Sequence, residues 1–185
     1  MLALSAASAL TACDRLPEAV ILPEFEFSYS FDNGLSGWTA RATDMGTGSW
    51  SATEESGAVR LELVNDDGAG KVWLTHGVEV TPFKLYTVDI SLDLATADYD
   101  AMTSWRVIAG ARATDPTLAA DLTFQDGTAA SAPAGERAWV ARQYSVTASA
   151  DKEGRLYLML GIWGTTTGTR SYLVDNVKVV LTRVE

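Results

Sequence analysis

Tyr86, Val88, Ile90, Leu92 and Leu94 alternate without a break with Thr87, Asp89, Ser91 and Asp93. Side chains of an extended backbone point to opposite faces in turn, so this run has one face for a core and one for water. The same period recurs where Phe25, Phe27, Tyr29 and Phe31 alternate with Glu26, Ser28 and Ser30. It recurs again at Val59, Leu61 and Leu63, and at Leu156, Leu158, Leu160 and Ile162 against Arg155, Tyr157, Met159 and Trp163. Shorter strands are expected over 49–53, over 71–80 as one or two pieces, and over 104–112, 121–125, 139–147 and 170–181. Turn-forming groups such as Asn65-Asp66-Asp67-Gly68 and Asp151-Lys152-Glu153-Gly154 separate them, as do loops over 95–103 and 128–135. No segment keeps a helical period. Many short strands between turns predict an all-β chain, an antiparallel two-sheet β-sandwich.

The 185 residues suit one domain with a short leader. Against 24 acidic side chains stand 14 basic ones, a formal charge of −10. Such a surface repels phosphate backbones, and no basic stripe offsets it, so nucleic acid is not an expected partner. Cys13 is the only cysteine, which leaves the fold to be held by packing rather than by an internal disulfide.

Residues 1–12 are uncharged and rich in Leu, Ala and Ser, and they run into Leu10-Thr11-Ala12-Cys13. This resembles the lipobox of bacterial lipoprotein signal peptides, in which a cysteine after small residues becomes the lipidated N-terminus. The run is too short to span a bilayer but suits a signal peptide. On this likeness residues 1–12 are a signal peptide, Cys13 is the lipidation site, residues 13–24 are a tether, and residues 25–185 are the sandwich. The expected location is the bacterial cell envelope, lipid-anchored to a membrane.

Phe31-Asp32-Asn33-Gly34-Leu35-Ser36-Gly37-Trp38 ends the first alternating strand in two glycine turns and a tryptophan. Near the other end stands Ser171-Tyr172-Leu173-Val174-Asp175-Asn176-Val177-Lys178-Val179. Together these resemble the first and last strands of jelly-roll carbohydrate-binding modules of the galactose-binding-like kind. The likeness spans nearly all of 25–181 and implies a jelly-roll sandwich. It also implies a structural calcium, with Asp175 as a ligand and Asp32 as its partner from the first strand region; Glu26 or Glu24 are alternatives to Asp32. Calcium is held by several hard oxygen donors, which carboxylates supply. The competing reading is that Asp175 and Asn176 serve only as hydrogen-bonding groups in a loop.

Sugar rings stack on flat aromatic side chains while polar neighbours take their hydroxyls. Tyr157 and Trp163 share the polar side of their strand, opposite the leucines, which places them away from the core. They are the first candidates for a binding groove, with Trp105 and Arg106 beside them. Trp73, Trp105, Tyr99 and Trp139 are aromatics whose side of the sheet the sequence leaves open. Most such rings pack between sheets. His76, the sole histidine, lacks the Gly-x-Ser-x-Gly turn of a hydrolase nucleophile, and no phosphate-binding glycine loop precedes a helix. The expectation is a noncatalytic, lipid-anchored envelope domain that binds carbohydrate. The alternative is a structural or protein-interaction lipoprotein without a sugar site.

Overall fold

In the computed structural model, residues 23–96, 105–125 and 137–184 are described. Cys13, the leader, the tether up to Leu22 and the loop holding Tyr99 lie outside those residues. The strands are β1 (Phe25–Tyr29), β2 (Thr39–Thr43), β3 (Ser49–Glu55), β4 (Ala58–Asn65) and β5 (Lys71–Glu79). They continue with β6 (Leu85–Thr96), β7 (Trp105–Arg112), β8 (Ala138–Ser149), β9 (Arg155–Gly164) and β10 (Gly168–Arg183). All pairings are antiparallel.

Sheet A has the order β3-β4-β10-β6-β8, and sheet B the order β2-β5-β9-β7. β10 is the spine of sheet A. Its first half pairs with β4, from Gly168–Asn65 to Val174–Val59. Its second half pairs on the same flank with β1, from Val177–Tyr29 to Leu181–Phe25. β6 runs along the other flank, with a bulge between Asp175 and Lys178. The fold is thus the two-sheet antiparallel sandwich that the alternation requires.

The inward faces meet as that alternation predicts. Val59, Leu61, Tyr86, Val88, Ile90, Leu156, Leu158, Leu160, Val179 and Leu181 are all buried in one cluster. Phe31 and Trp38 join it, 0% and 4% exposed. Two chained turns carry the backbone between them: Gly34 N–H donates to the Phe31 carbonyl, and Trp38 N–H donates to the Leu35 carbonyl. Gly37 has φ +82, and a side chain there would press on the His76 ring at 3.4 Å, so glycine is the residue that fits.

One expectation needs correction, that of a strand over 121–125. β2, Thr-Ala-Arg-Ala-Thr, is not among the expected strands; its small apolar residues Ala40 and Ala42 alternate with polar neighbours and pack against the core, and it is held as an edge by its pairing with β5. Residues 71–79 form one strand. Asp121–Gln125 is not a regular strand: a short 3-10 turn at Ala119–Asp121 leads into a single bridge, Phe124 to Ile108.

That last departure has a large effect on sheet B. Residues 113–125 fold back as a strap over its outer face. Its Leu122 packs onto Trp73, Ile108 and Met159 beneath, a second small core with Phe124 of the strap against it. Trp73 donates its indole N–H to the Pro116 carbonyl at 3.2 Å. Gly110 and Gly161 make the room. A Cβ on Gly110 would sit 2.7 Å from Thr123, and one on Gly161 would sit 2.5 Å from Trp73. Glycine inside a strand marks such a close approach.

Candidate functional site

The strap decides which faces are open. Ion pairs Arg41–Asp115 and Arg112–Asp121 pin its two ends, and Thr75 donates to Asp115 at 3.1 Å. The Gln125 side chain donates to the Ala109 carbonyl at 2.9 Å, and Arg106 donates to the Gln125 carbonyl at 3.0 Å. The Leu118 and Thr117 amides, and then the Arg112 guanidinium, hold the Asp121 carboxyl below its ordinary value of 3.8. A carboxylate with a lowered folded-state pKa stabilises the fold above its unfolded pKa and loses that contribution as pH falls through the folded value. The stability gap between the wild type and Asp121→Asn should therefore be full above about pH 4 and close in stronger acid. Urea unfolding midpoints at several pH values measure it; a gap that ignores pH would refute the role.

Tyr157 and Trp163 do share the outer face of sheet B, with Arg106, but the strap divides them. They are six positions apart along β9, about 20 Å at the usual strand rise. Trp163 has its ring occupied. Phe124 lies 5.1 Å away, the Arg106 guanidinium 5.8 Å and the Lys71 ammonium 5.0 Å, and the indole N–H donates to the Gly68 carbonyl. Tyr157 is half-buried in a pocket of about 240 Å³ with Gly77, Glu79 and Arg155. Trp105 reaches only a cleft of about 10 Å³, too small for a sugar ring. It is 1% exposed and meets Tyr172 edge-on at 5.6 Å inside the main core. Its strand places it with Val107, Ala109 and Ala111, while Arg106 faces the strap.

Sheet A keeps its outer face open. Trp139 is 51% exposed there, at the start of β8. Among the described residues, the small Ala95 stands opposite it and Ala141 follows on the same face. Along the strand, Gln143 and Ser145 line a groove of about 380 Å³ with Asp89, Ser91, Lys178 and Val180. At Lys178 it meets a second groove of about 340 Å³, lined by Ser28, Ser30 and Asn176. Gln143 lies about 13 Å from Trp139 by strand rise. Burial pushes the Tyr29 phenol, beside the second groove, up to about 12, so it stays a neutral hydroxyl. The signal for Trp139 was present in the sequence: it shares the parity of Gln143, Ser145 and Thr147, the polar side of β8.

Asp175 lies opposite Asp93 across the β10–β6 pair, at the bulge where Asn176 takes φ +50. The Asn176 amide donates to Asp93 at 2.9 Å. Asp175 Oδ1 is buried and accepts no hydrogen bond from the described residues. Asp32 is exposed beside Gly57, where a Cβ would sit 2.9 Å from its carboxylate. Among the described residues, no three acidic, histidine or cysteine side chains gather as a metal site. His76 packs between Tyr29 and Trp38, at 5.1 and 5.3 Å, and its Nδ1 meets the Gly37 carbonyl.

Two packed antiparallel sheets on a β10 spine form a pattern seen in solved proteins. The sandwich is similar to a bacterial adhesin domain. That cleaved adhesin domain of Lys-gingipain from Porphyromonas gingivalis is 16% identical, with a TM-score of 0.50 over 84% of this chain and 97% of that one. A xylan-binding domain from Paenibacillus barcinonensis is 20% identical, with a TM-score of 0.43 over 86% and 95%. A family 11 carbohydrate-binding module from Clostridium thermocellum, solved with a mixed-linked tetrasaccharide, is 11% identical, with a TM-score of 0.44 over 84% and 95%. No family model and no curated protein matches. At these identities the likeness is one of fold.

Proposed function

We propose that this chain is a noncatalytic carbohydrate-binding domain held at a bacterial envelope through a lipid on Cys13, and that its sugar surface is the outer face of sheet A. One observation carries the choice of face: Trp139 is exposed on the same side as the polar grooves around Gln143 and Lys178. An exposed indole offers an apolar platform, and the hydroxyl, amide and carboxylate groups beyond it offer partners for sugar hydroxyls. Tyr157 supports a smaller second subsite; Trp163 supports one less well, since its ring already has partners. The test is binding of the full chain to a broad polysaccharide panel, with Trp139→Ala and Tyr157→Ala beside the wild type. Loss in the first and not the second supports sheet A; loss only in the second moves the site to sheet B.

The alternative, an interaction module without a sugar site, is favoured by the enclosure of Trp38, Trp73 and Trp105. Failure to bind any polysaccharide on the panel would favour it.

Calcium belongs to the proposal through Asp175. Two carboxylates facing each other across a strand pair repel, and a cation between them would relieve this. The fit is partial: calcium takes six to eight oxygens, so Asp175 and Asp93 would need backbone carbonyls and water, with Asp32 a more distant candidate. If the ion binds, calcium raises the melting temperature of the wild type and leaves Asp175→Asn unmoved. If instead Asp93→Asn is the more stable protein in chelator and calcium changes nothing, the pair is a plain charge clash.

A further inference from the structure

One end of the sandwich carries an apolar tip. Phe83 is 76% exposed, the highest among the exposed large hydrophobic side chains of the described residues, and Leu85 and Val184 are 39% and 40% exposed. Val184 N–H donates to the Leu85 carbonyl at 2.9 Å, so these two belong to one surface. Phe83 has φ +58, a left-handed conformation that residues with a Cβ rarely take. Two locked turns hold it so. Its N–H donates to the Asp151 carbonyl at 3.1 Å, and Pro82 packs over Gly154, where a Cβ would sit 3.1 Å from the proline ring. The ring is therefore presented outward by a fixed backbone.

Both signs of charge stand at the rim, where Glu79, Asp151 and Glu153 lie among the basic groups. Lys84 follows Phe83, Arg183 precedes Val184, and Lys152 stands on the adjoining turn, paired with Glu153 at 3.3 Å. Glu24 is turned onto Thr81 and Tyr86, at 2.6 and 3.3 Å. Those contacts also place Pro23 and Glu24, the first described residues, at this end. At most about 35 Å of extended chain separates Cys13 from Pro23. The opposite end holds the Asn65–Gly68 turn with Asp66 and Asp67.

We propose that this tip contacts a lipid bilayer. Phe83, with Leu85 and Val184, enters the interfacial layer, while Lys84, Lys152 and Arg183 meet the phosphates at its rim. The inference rests on the anchoring of Cys13, which brings a bilayer to this end of the molecule. It adds a second contact with the bilayer beside the lipid on Cys13.

The test uses the full chain with Cys13→Ser, tethered by an N-terminal histidine tag to nickel-lipid vesicles of phosphatidylcholine and phosphatidylglycerol. An environment-sensitive dye is placed in turn on Phe83→Cys, Val184→Cys and Asp67→Cys. The expected result is a blue shift at 83 and 184 with none at 67, and loss of the shift at 184 when Phe83→Ser is added. No shift at 83 and 184, an equal shift at 67, or a signal at 184 that ignores Phe83→Ser would each overturn it. Anchoring is scored separately, by labelled fatty acid entering the wild type but not Cys13→Ser in bacterial cells. A failure there leaves the vesicle result standing, so the two can be told apart.

Discussion

Trp139→Ala weakens polysaccharide binding about 30-fold, a loss of about 2 kcal/mol, the size of an aromatic hot spot. The expectation follows from position. The indole is half out of the protein, between Ala95 and Ala141, and engages none of the main core. Its removal should change stability by no more than about 0.5 kcal/mol, as for other surface substitutions. Binding and folding therefore separate in one variant. Titration calorimetry against the best polysaccharide of the panel, with a thermal melt on the same sample, reads both. Unchanged affinity would remove sheet A from the sugar reading, whatever Tyr157 does.

Trp73→Ala is expected to do the reverse. Trp73 is fully buried beneath the strap, against Ile108 and Met159, and it donates to the Pro116 carbonyl. Truncating a buried tryptophan costs about 3–5 kcal/mol, a large share of the 5–15 kcal/mol that holds a typical domain. For a chain of this length that is roughly 10 °C in melting temperature. The Pro116 carbonyl also loses its donor, so the strap should loosen before the sandwich melts. Limited proteolysis between residues 113 and 125 reports the first event and circular dichroism the second. A loss below about 1 kcal/mol would mean that the strap is held by its ion pairs and hydrogen bonds without help from the Trp73 packing.

The sandwich was legible because β4, β6 and β10 each have one wet face, and a period of two is plainest under that condition. Where the strap covers sheet B the condition fails. β7 is apolar on both sides, with Val107 and Ala109 toward the main core and Ile108 toward the strap. Trp105 could not be assigned to a face there, and its place in the core came only from the structure. Tyr157 and Trp163 were placed on the correct side of β9, yet the side was no longer an open surface. No local pattern announces that residues 113–125 return over their own sheet, because the contacts that hold them join positions far apart, such as Arg41 with Asp115. β2 was missed for another reason: its inward residues Ala40 and Ala42 are small and mark a face only weakly. Trp139, by contrast, could have been found by the same parity that placed Trp163.

The pairing of β1 with β10 has a mechanical consequence. β1 enters at Phe25 beside Leu181 and runs antiparallel to the spine as far as Tyr29 beside Val177. A pull on the upstream chain acts along the axis of β1, across the hydrogen bonds that join it to β10. Those bonds are loaded together, as in a lap joint, and do not peel one after another as in a zipper. The strand that meets the tether first is thus bonded in the orientation that best resists being drawn out.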